Sequence, residues 1–116
     1  MLNDHPKKYH ELIGLMEQLG SKIPGTMEAF EKLHISGTAD GVLHKKTKEL
    51  IALGIAITVR CDGCIAFHVH DALKSGATPN EIVETIGVAV LMGGGPAVVY
   101  GCEALEALQQ FSALSD

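Results

Sequence analysis

The run Glu49-Leu-Ile-Ala-Leu-Gly-Ile-Ala-Ile-Thr-Val-Arg-Cys61-Asp-Gly-Cys64-Ile-Ala-Phe-His68 places one carboxylate, two thiols and one imidazole within twenty residues. If a helix begins at Cys61, then Cys64 follows one turn later and His68 four residues beyond. At ~100° per residue the three side chains fall within about 60° on one face. Helix N-termini carry partial positive charge and free N–H groups, so thiols in a first turn are stabilised as thiolates. The stretch therefore indicates redox chemistry.

The segments on either side of Cys61 are both predicted to be helices. From Leu43 to about Arg60 the chain starts polar and becomes apolar on all sides after Leu50, which predicts a helix that is buried all round. Its β-branched residues 55–59 would also suit a strand. A helix is favoured because no other segment offers a partner strand of comparable length. The next helix is predicted from about Cys61 to Lys74, with glycine following its C-terminus.

Local start and stop signals predict four more helices. A proline opens the first helix and Pro24 the second, and Thr78-Pro79-Asn80-Glu81 carries the cap, proline and glutamate of a capping box. Asp40 is expected to cap the helix that follows the second one. These four helices are predicted at 6–20, from Pro24 to before Gly37 and Gly41, from Thr78 to about Met92, and at about 96–114. About six helices predict an all-α helical bundle, and the length predicts a single domain over residues 1–116.

The composition excludes several classes of protein. A net charge of −5 and a single short lysine cluster argue against a nucleic-acid partner, because phosphate binding needs clustered basic residues. An odd count of three cysteines, with no apolar signal region at the N-terminus, predicts a protein of the reducing cytoplasm rather than a disulfide framework. The uncharged run from Thr85 to Cys102 is interrupted by Gly93-Gly94-Gly95-Pro96, so we expect two buried half-runs and no membrane span.

Spacing alone leaves three interpretations of Cys61-Asp-Gly-Cys64 open. The pair can be a redox couple, part of a zinc site, or two small core residues. A structural zinc site commonly needs two separated ligand pairs, and no second pair is evident, although Cys61, Cys64, His68 and Glu49 could together hold a metal. Glu49 can act as a base only if the two helices pack antiparallel, which requires a tight bend near residue 60.

His68, His70 and Cys102 are the remaining reactive side chains, and each has a different expected role. His68 could be a core histidine, but its place one turn after Cys64 favours a functional one. His70 lies about 180° from Cys61 on the helix and should face another surface. Cys102 is expected to be a small buried residue.

The pattern of Glu49, Cys61, Cys64 and His68 resembles the core of the alkylhydroperoxidase AhpD family, part of the carboxymuconolactone decarboxylase superfamily. The flanking segments Lys46-Thr-Lys-Glu-Leu-Ile-Ala-Leu and His68-Val-His-Asp-Ala-Leu-Lys-Ser-Gly-Ala-Thr-Pro-Asn-Glu-Ile are similar too, and the likeness covers about residues 40–92. Some members have a histidine just before the second cysteine, where this chain has Gly63.

The resemblance implies an all-α fold that assembles into homotrimers or homohexamers and a peroxidase-type activity. Cys64 would be the thiol that reacts with peroxide to give a sulfenic acid, Cys61 would resolve the sulfenic acid to a disulfide, and Glu49 and His68 would relay the proton. No cofactor is implied besides the redox-active disulfide; the partners would be a peroxide or disulfide substrate and an external thiol reductant. The alternatives are a decarboxylase-like lyase, which generally lacks the cysteine pair, and a non-catalytic zinc-binding module.

Overall fold

Six α-helices form the fold in the computed structural model, which describes residues 2–115. No strand occurs among these residues, so the predicted all-α class and helix number are confirmed. The segment at residues 55–59 is helical up to Thr58, as favoured. The helices are α1 (His5–Lys22), α2 (Pro24–Thr38), α3 (Lys45–Thr58), α4 (Asp62–Lys74), α5 (Pro79–Gly93) and α6 (Gly95–Ser115).

Capping side chains explain where the helices start. The capping box of α5 is present: the Glu81 N–H donates to Thr78 Oγ1 at 3.1 Å, and the Thr78 N–H donates to Glu81 Oε1 at 2.8 Å. At the start of α3 the N-cap residue is His44, whose side chain makes no capping bond. Asp40 fills that role from the preceding turn, because its Oδ1 accepts the N–H of Lys45 at 2.7 Å.

The core lies between α3, α4, α5 and α6, which contact one another. Large aliphatic side chains from α3, α4 and α5 interlock there, and α6 adds small residues that allow close approach of its backbone. The fully buried members include Leu53, Ile57, Ile65, Val69, Ile82, Ala104 and Ala107. The helix α1 packs against α2, α4 and α6, whereas α2 buries none of its residues.

Two apolar segments that are predicted to be buried are partly exposed in the single chain. The apolar run from Leu50 to Val59, which extends one residue past α3, is not buried all round, since Ile55 is 57% exposed and Val59 64% exposed. The two half-runs on α5 and α6 also carry exposed apolar residues, which include Val88, Leu91, Met92, Val98 and Val99. The neighbouring helices of the same chain therefore leave part of the apolar surface of α3, α5 and α6 uncovered. No helix within residues 2–115 is long and apolar enough to cross a membrane.

Candidate functional site

A tight bend between α3 and α4 brings the predicted site residues together. The Cys61 N–H donates to the Ala56 carbonyl at 3.0 Å and the Arg60 N–H to the Ile57 carbonyl at 3.2 Å, which is the hydrogen-bond pattern of a Schellman motif. Arg60 adopts the left-handed conformation, with φ of 62°, at the position where helices usually place glycine. The bend reverses the chain direction, so α3 and α4 pack against each other as the sequence argument required.

The cysteine pair lies at the N-terminus of α4. Cys61 is the N-cap residue rather than the first helical residue, and its Sγ accepts the N–H of Cys64 at 3.3 Å. Cys61 and Cys64 are joined by a disulfide, with their Cα atoms 5.1 Å apart. Both are half-buried at the helix end where backbone N–H groups point outward, an environment that favours the thiolate form after reduction.

Glu49 and His68 form a hydrogen-bonded pair across the same two helices. Glu49 is completely buried, and its Oε2 lies 2.9 Å from Nδ1 of His68, whose side chain is 20% exposed. His68 therefore connects a buried carboxylate with the surface that carries the cysteines. The other oxygen of Glu49, Oε1, is buried and has no hydrogen-bond partner among the described residues.

The helix α1 covers the segment between the cysteines. A Cβ atom at Gly63 would lie 2.9 Å from Cδ1 of Leu12, so the position fits glycine without any movement of that leucine. Beside it, Lys8 Nζ donates to Asp62 Oδ2 at 2.7 Å and ties α1 to the first turn of α4. Glycine at position 63 therefore leaves room for Leu12 where α1 approaches the first turn of α4.

A groove between α1, α2 and α4 leads to the disulfide. Its volume is about 890 Å³, and both cysteines and His68 lie on its wall. The rest of the lining is mainly apolar, with acidic residues among it; Leu12, Ile13, Met16, Met27, Phe30 and Phe67 supply most of the apolar surface. A small molecule with an apolar part can therefore reach the sulfur atoms from this side.

Two functional candidates, His34 of α2 and Asp71 of α4, were missed by the sequence argument. Donor atoms of His34, Glu49 and Asp71 all lie within 4.8 Å of one another. The three residues are far apart in sequence and come from three helices, so no spacing pattern could have joined them. The zinc set considered from the sequence is different, because it relied on Cys61 and Cys64, which are bonded to each other here.

His70 and Cys102, the other two reactive side chains, are not part of the cysteine site. The His70 ring stacks on that of Tyr9 with centroids 4.1 Å apart, and its Nδ1 lies 2.9 Å from Asp71 Oδ1. Cys102 is exposed, so the expectation that it is buried is wrong. It lies on the outer side of α6, where Val98 and Val99 are exposed too.

Comparisons with known proteins identify a family that this chain resembles over most of its length. The model of the "Carboxymuconolactone decarboxylase family" matches residues 24–107. An uncharacterized protein of Cupriavidus necator is 36% identical over 105 residues, which cover 90% of this chain and 93% of that protein. "Uncharacterized protein 4 in cox locus" of Paracoccus denitrificans is 37% identical over 98 residues, which cover 84% of this chain and 86% of that protein.

Solved structures with a similar fold belong to the same family. The crystal structure of a carboxymuconolactone decarboxylase family protein from Legionella pneumophila has a TM-score of 0.90 and 42% identity, covering 93% of this chain and 96% of its own. A protein of the same family from Thermotoga maritima, for which a role in antioxidative response is suggested, has a TM-score of 0.81 and 26% identity over 90% of this chain and 92% of its own.

Proposed function

This chain belongs to the carboxymuconolactone decarboxylase family, and on that premise we propose that it is a thiol-dependent peroxidase of the alkylhydroperoxidase type. The observation that carries the proposal is that the cysteine pair and the His68–Glu49 pair are close to the same groove. A bonded pair of cysteines lies at a helix N-terminus, and the wall of the same groove carries His68, which is held by the buried Glu49. The role in antioxidative response that is suggested for the Thermotoga maritima relative also fits a peroxidase.

The reaction proceeds in two balanced steps. The Cys64 thiolate attacks the outer oxygen of a hydroperoxide, the O–O bond breaks, and the products are a sulfenic acid and an alkoxide, which takes up a proton. The Cys61 thiol then attacks the sulfenic sulfur, which releases water and forms the disulfide. His68 supplies the proton to the leaving oxygen, and Glu49 orients the imidazole and stabilises its protonated form.

An external thiol must return the protein to the reduced state. That donor attacks the Cys61–Cys64 disulfide, leaves oxidised as a disulfide itself, and restores both thiols. The cycle requires no cofactor other than the cysteine pair. A reducing cytoplasm, which supplies such thiols, is the compartment that suits it.

We also propose that the chain forms a homotrimer or homohexamer. An apolar groove of about 500 Å³ between α3 and α5 is lined by exposed side chains that include Ile51, Ile55, Val59, Val88 and Met92. Monomeric soluble proteins rarely expose contiguous apolar surface of this kind. A second copy of the chain is the occupant that the family resemblance favours.

Stopped-flow titration of the reduced protein with hydrogen peroxide and an organic hydroperoxide tests the peroxidase proposal. We expect two thiols to be lost per chain, from Cys61 and Cys64, with Cys102 untouched. A Cys64→Ser variant should lose the reaction with peroxide, whereas Cys61→Ser should still react once and stop at the sulfenic acid, which a dimedone label detects.

Cys102→Ser is the matched control, because it removes an exposed cysteine outside the site. It should react like the unmodified protein. If reduced protein loses no thiols to either peroxide, the proposal is wrong. Lactone decarboxylation that persists in the double variant Cys61→Ser/Cys64→Ser would favour the lyase instead.

A further inference from the structure

We propose that His34, Glu49 and Asp71 form a binding site for a divalent metal ion of the zinc class, separate from the cysteines. The residues belong to α2, α3 and α4; His34 and Asp71 line the groove, and the buried Glu49 lies beside them. Their donor atoms, one imidazole nitrogen and two carboxylate oxygens, lie within 4.8 Å of one another. No thiol belongs to this set.

The buried oxygen of Glu49 is the independent observation that points to a ligand. Glu49 is fully buried, and its Oε1 has no hydrogen-bond partner among residues 2–115, while Oε2 is taken by His68. An unpartnered buried carboxylate oxygen is costly unless a cation or donor pairs with it. Because the same carboxylate lies beside His34 and Asp71, a cation held between the three would supply the missing partner.

The geometry requires only a small contraction. Around Zn²⁺, nitrogen and oxygen ligands lie about 2.0–2.2 Å from the ion, which puts neighbouring donors of a tetrahedral site about 3.4 Å apart. Donors within 4.8 Å can reach that separation through side-chain rotation, since His34 is exposed and its helix α2 buries no residue. Three protein ligands leave a fourth position for water or substrate, the pattern of catalytic zinc sites.

Neighbouring histidines hold both carboxylates in place. His68 Nδ1 lies 2.9 Å from one oxygen of Glu49, and His70 Nδ1 lies 2.9 Å from one oxygen of Asp71. Ligating carboxylates in metal sites are typically oriented by such outer hydrogen bonds. The mixed imidazole and carboxylate donor set suits Zn²⁺ better than Mg²⁺, which prefers oxygen ligands and retains most of its water.

Metal binding at this site has two consequences. A bound metal ion would link the loosely packed α2 to α3 and α4, so hydrogen exchange of the α2 backbone amides should slow. It also engages Glu49, and if the proposed peroxidase mechanism holds, occupancy of the site should inhibit the peroxidase reversibly. Only this second consequence depends on the proposed function.

Calorimetric titration of the oxidised protein with Zn²⁺ tests the site, because the disulfide keeps both cysteines from binding metal. We expect one Zn²⁺ per chain and slower hydrogen exchange in α2. His34→Ala and Asp71→Asn should each weaken binding at least about 10- to 100-fold, the loss that mutating even an outer-shell partner of a metal causes. His44→Ala, which removes another exposed histidine, should bind like the unmodified protein.

Absence of Zn²⁺ binding to the folded, oxidised protein would overturn the proposal. So would binding that neither His34→Ala nor Asp71→Asn weakens, or Mg²⁺ binding as tight as that of Zn²⁺. These results do not depend on turnover, so a protein that binds Zn²⁺ but reduces no peroxide would refute the proposed function and leave the metal site standing.

Discussion

At the scale of single residues, the burial of Glu49 distinguishes the site from a chance cluster of polar groups. A carboxylate taken out of water is stabilised only where partners compensate for the lost hydration, and the described partner of Glu49 is His68 at 2.9 Å. A glutamate with a purely structural role would more simply lie at the surface. The pair is therefore the part of the site where substitution is most informative.

Glu49→Gln should slow the reaction of the reduced protein with peroxide by about 10²- to 10⁴-fold, the usual contribution of a positioned acid or base. The amide has nearly the shape of the carboxylate but cannot stabilise a protonated imidazole. Stopped-flow measurement of thiol loss gives the rate. Glu84→Gln, an exposed change on α5, is the control; a Glu49→Gln protein that reacts as fast as this control would remove Glu49 from the mechanism.

At the scale of helices, two motifs of the same kind end α3 and α4 with different residues. At the end of α4, Gly76 adopts φ of 97°, the Ala77 N–H donates to the Ala72 carbonyl at 2.9 Å and the Gly76 N–H to the Leu73 carbonyl at 3.1 Å. The end of α3 repeats this pattern with Arg60 in the left-handed position. A left-handed conformation costs a residue with a side chain roughly 1–2 kcal/mol.

The two positions should respond in opposite directions to substitution. Arg60→Gly should raise the free energy of unfolding, by at most about 1 kcal/mol because glycine also loses more chain entropy on folding. Gly76→Ala should lower it by about 1 kcal/mol. Urea unfolding of both variants measures these changes. Destabilisation by Arg60→Gly would mean that the arginine side chain itself stabilises the bend.

At the scale of the whole molecule, the N-terminal segment is anchored to α6 through a buried histidine. The His5 N–H donates to Gln110 Oε1 at 2.8 Å, and its ring lies 3.2 Å from Glu106 Oε1. Burial lowers the pKa of His5, and the Glu106 carboxylate opposes that shift. Below the ordinary pKa of 6.5 the unfolded chain therefore takes up a proton that the folded chain resists.

Stability should consequently fall as the pH drops below 6.5, where the contribution of neutral His5 begins to be lost. One proton sets an upper limit of about 1.4 kcal/mol per pH unit on this slope. Denaturant unfolding between pH 7.5 and 5 measures it in the unmodified protein and in His5→Asn. The difference in unfolding free energy between the two proteins should change with pH; a difference that stays constant over this range would contradict the assignment.

The exposed apolar groove between α3 and α5 is the surface through which we expect copies of the chain to associate. If the proposed trimer or hexamer forms through this groove, Ile55→Glu should dissociate it to the monomer, because the contact would bury a charge without a partner. Sedimentation velocity at micromolar concentration gives the mass. Val42→Glu, at a fully exposed loop position, should leave the mass unchanged; a monomeric unmodified protein would refute the assembly.

The sequence by itself determined the helices and the candidate chemistry. Proline, capping and glycine signals act within a few residues, so they placed six helices close to their observed bounds. Spacing singled out Cys61, Cys64 and His68, which lie at the N-cap and in the first two turns of α4. Only the tertiary structure decided which sides of the helices are covered. It buried Glu49, exposed Ile55 and Cys102, and brought His34 and Asp71 to the same carboxylate. These results depend on how α3 bends into α4 and where α1 and α2 lie, and contacts between distant segments leave no periodic pattern in a single sequence.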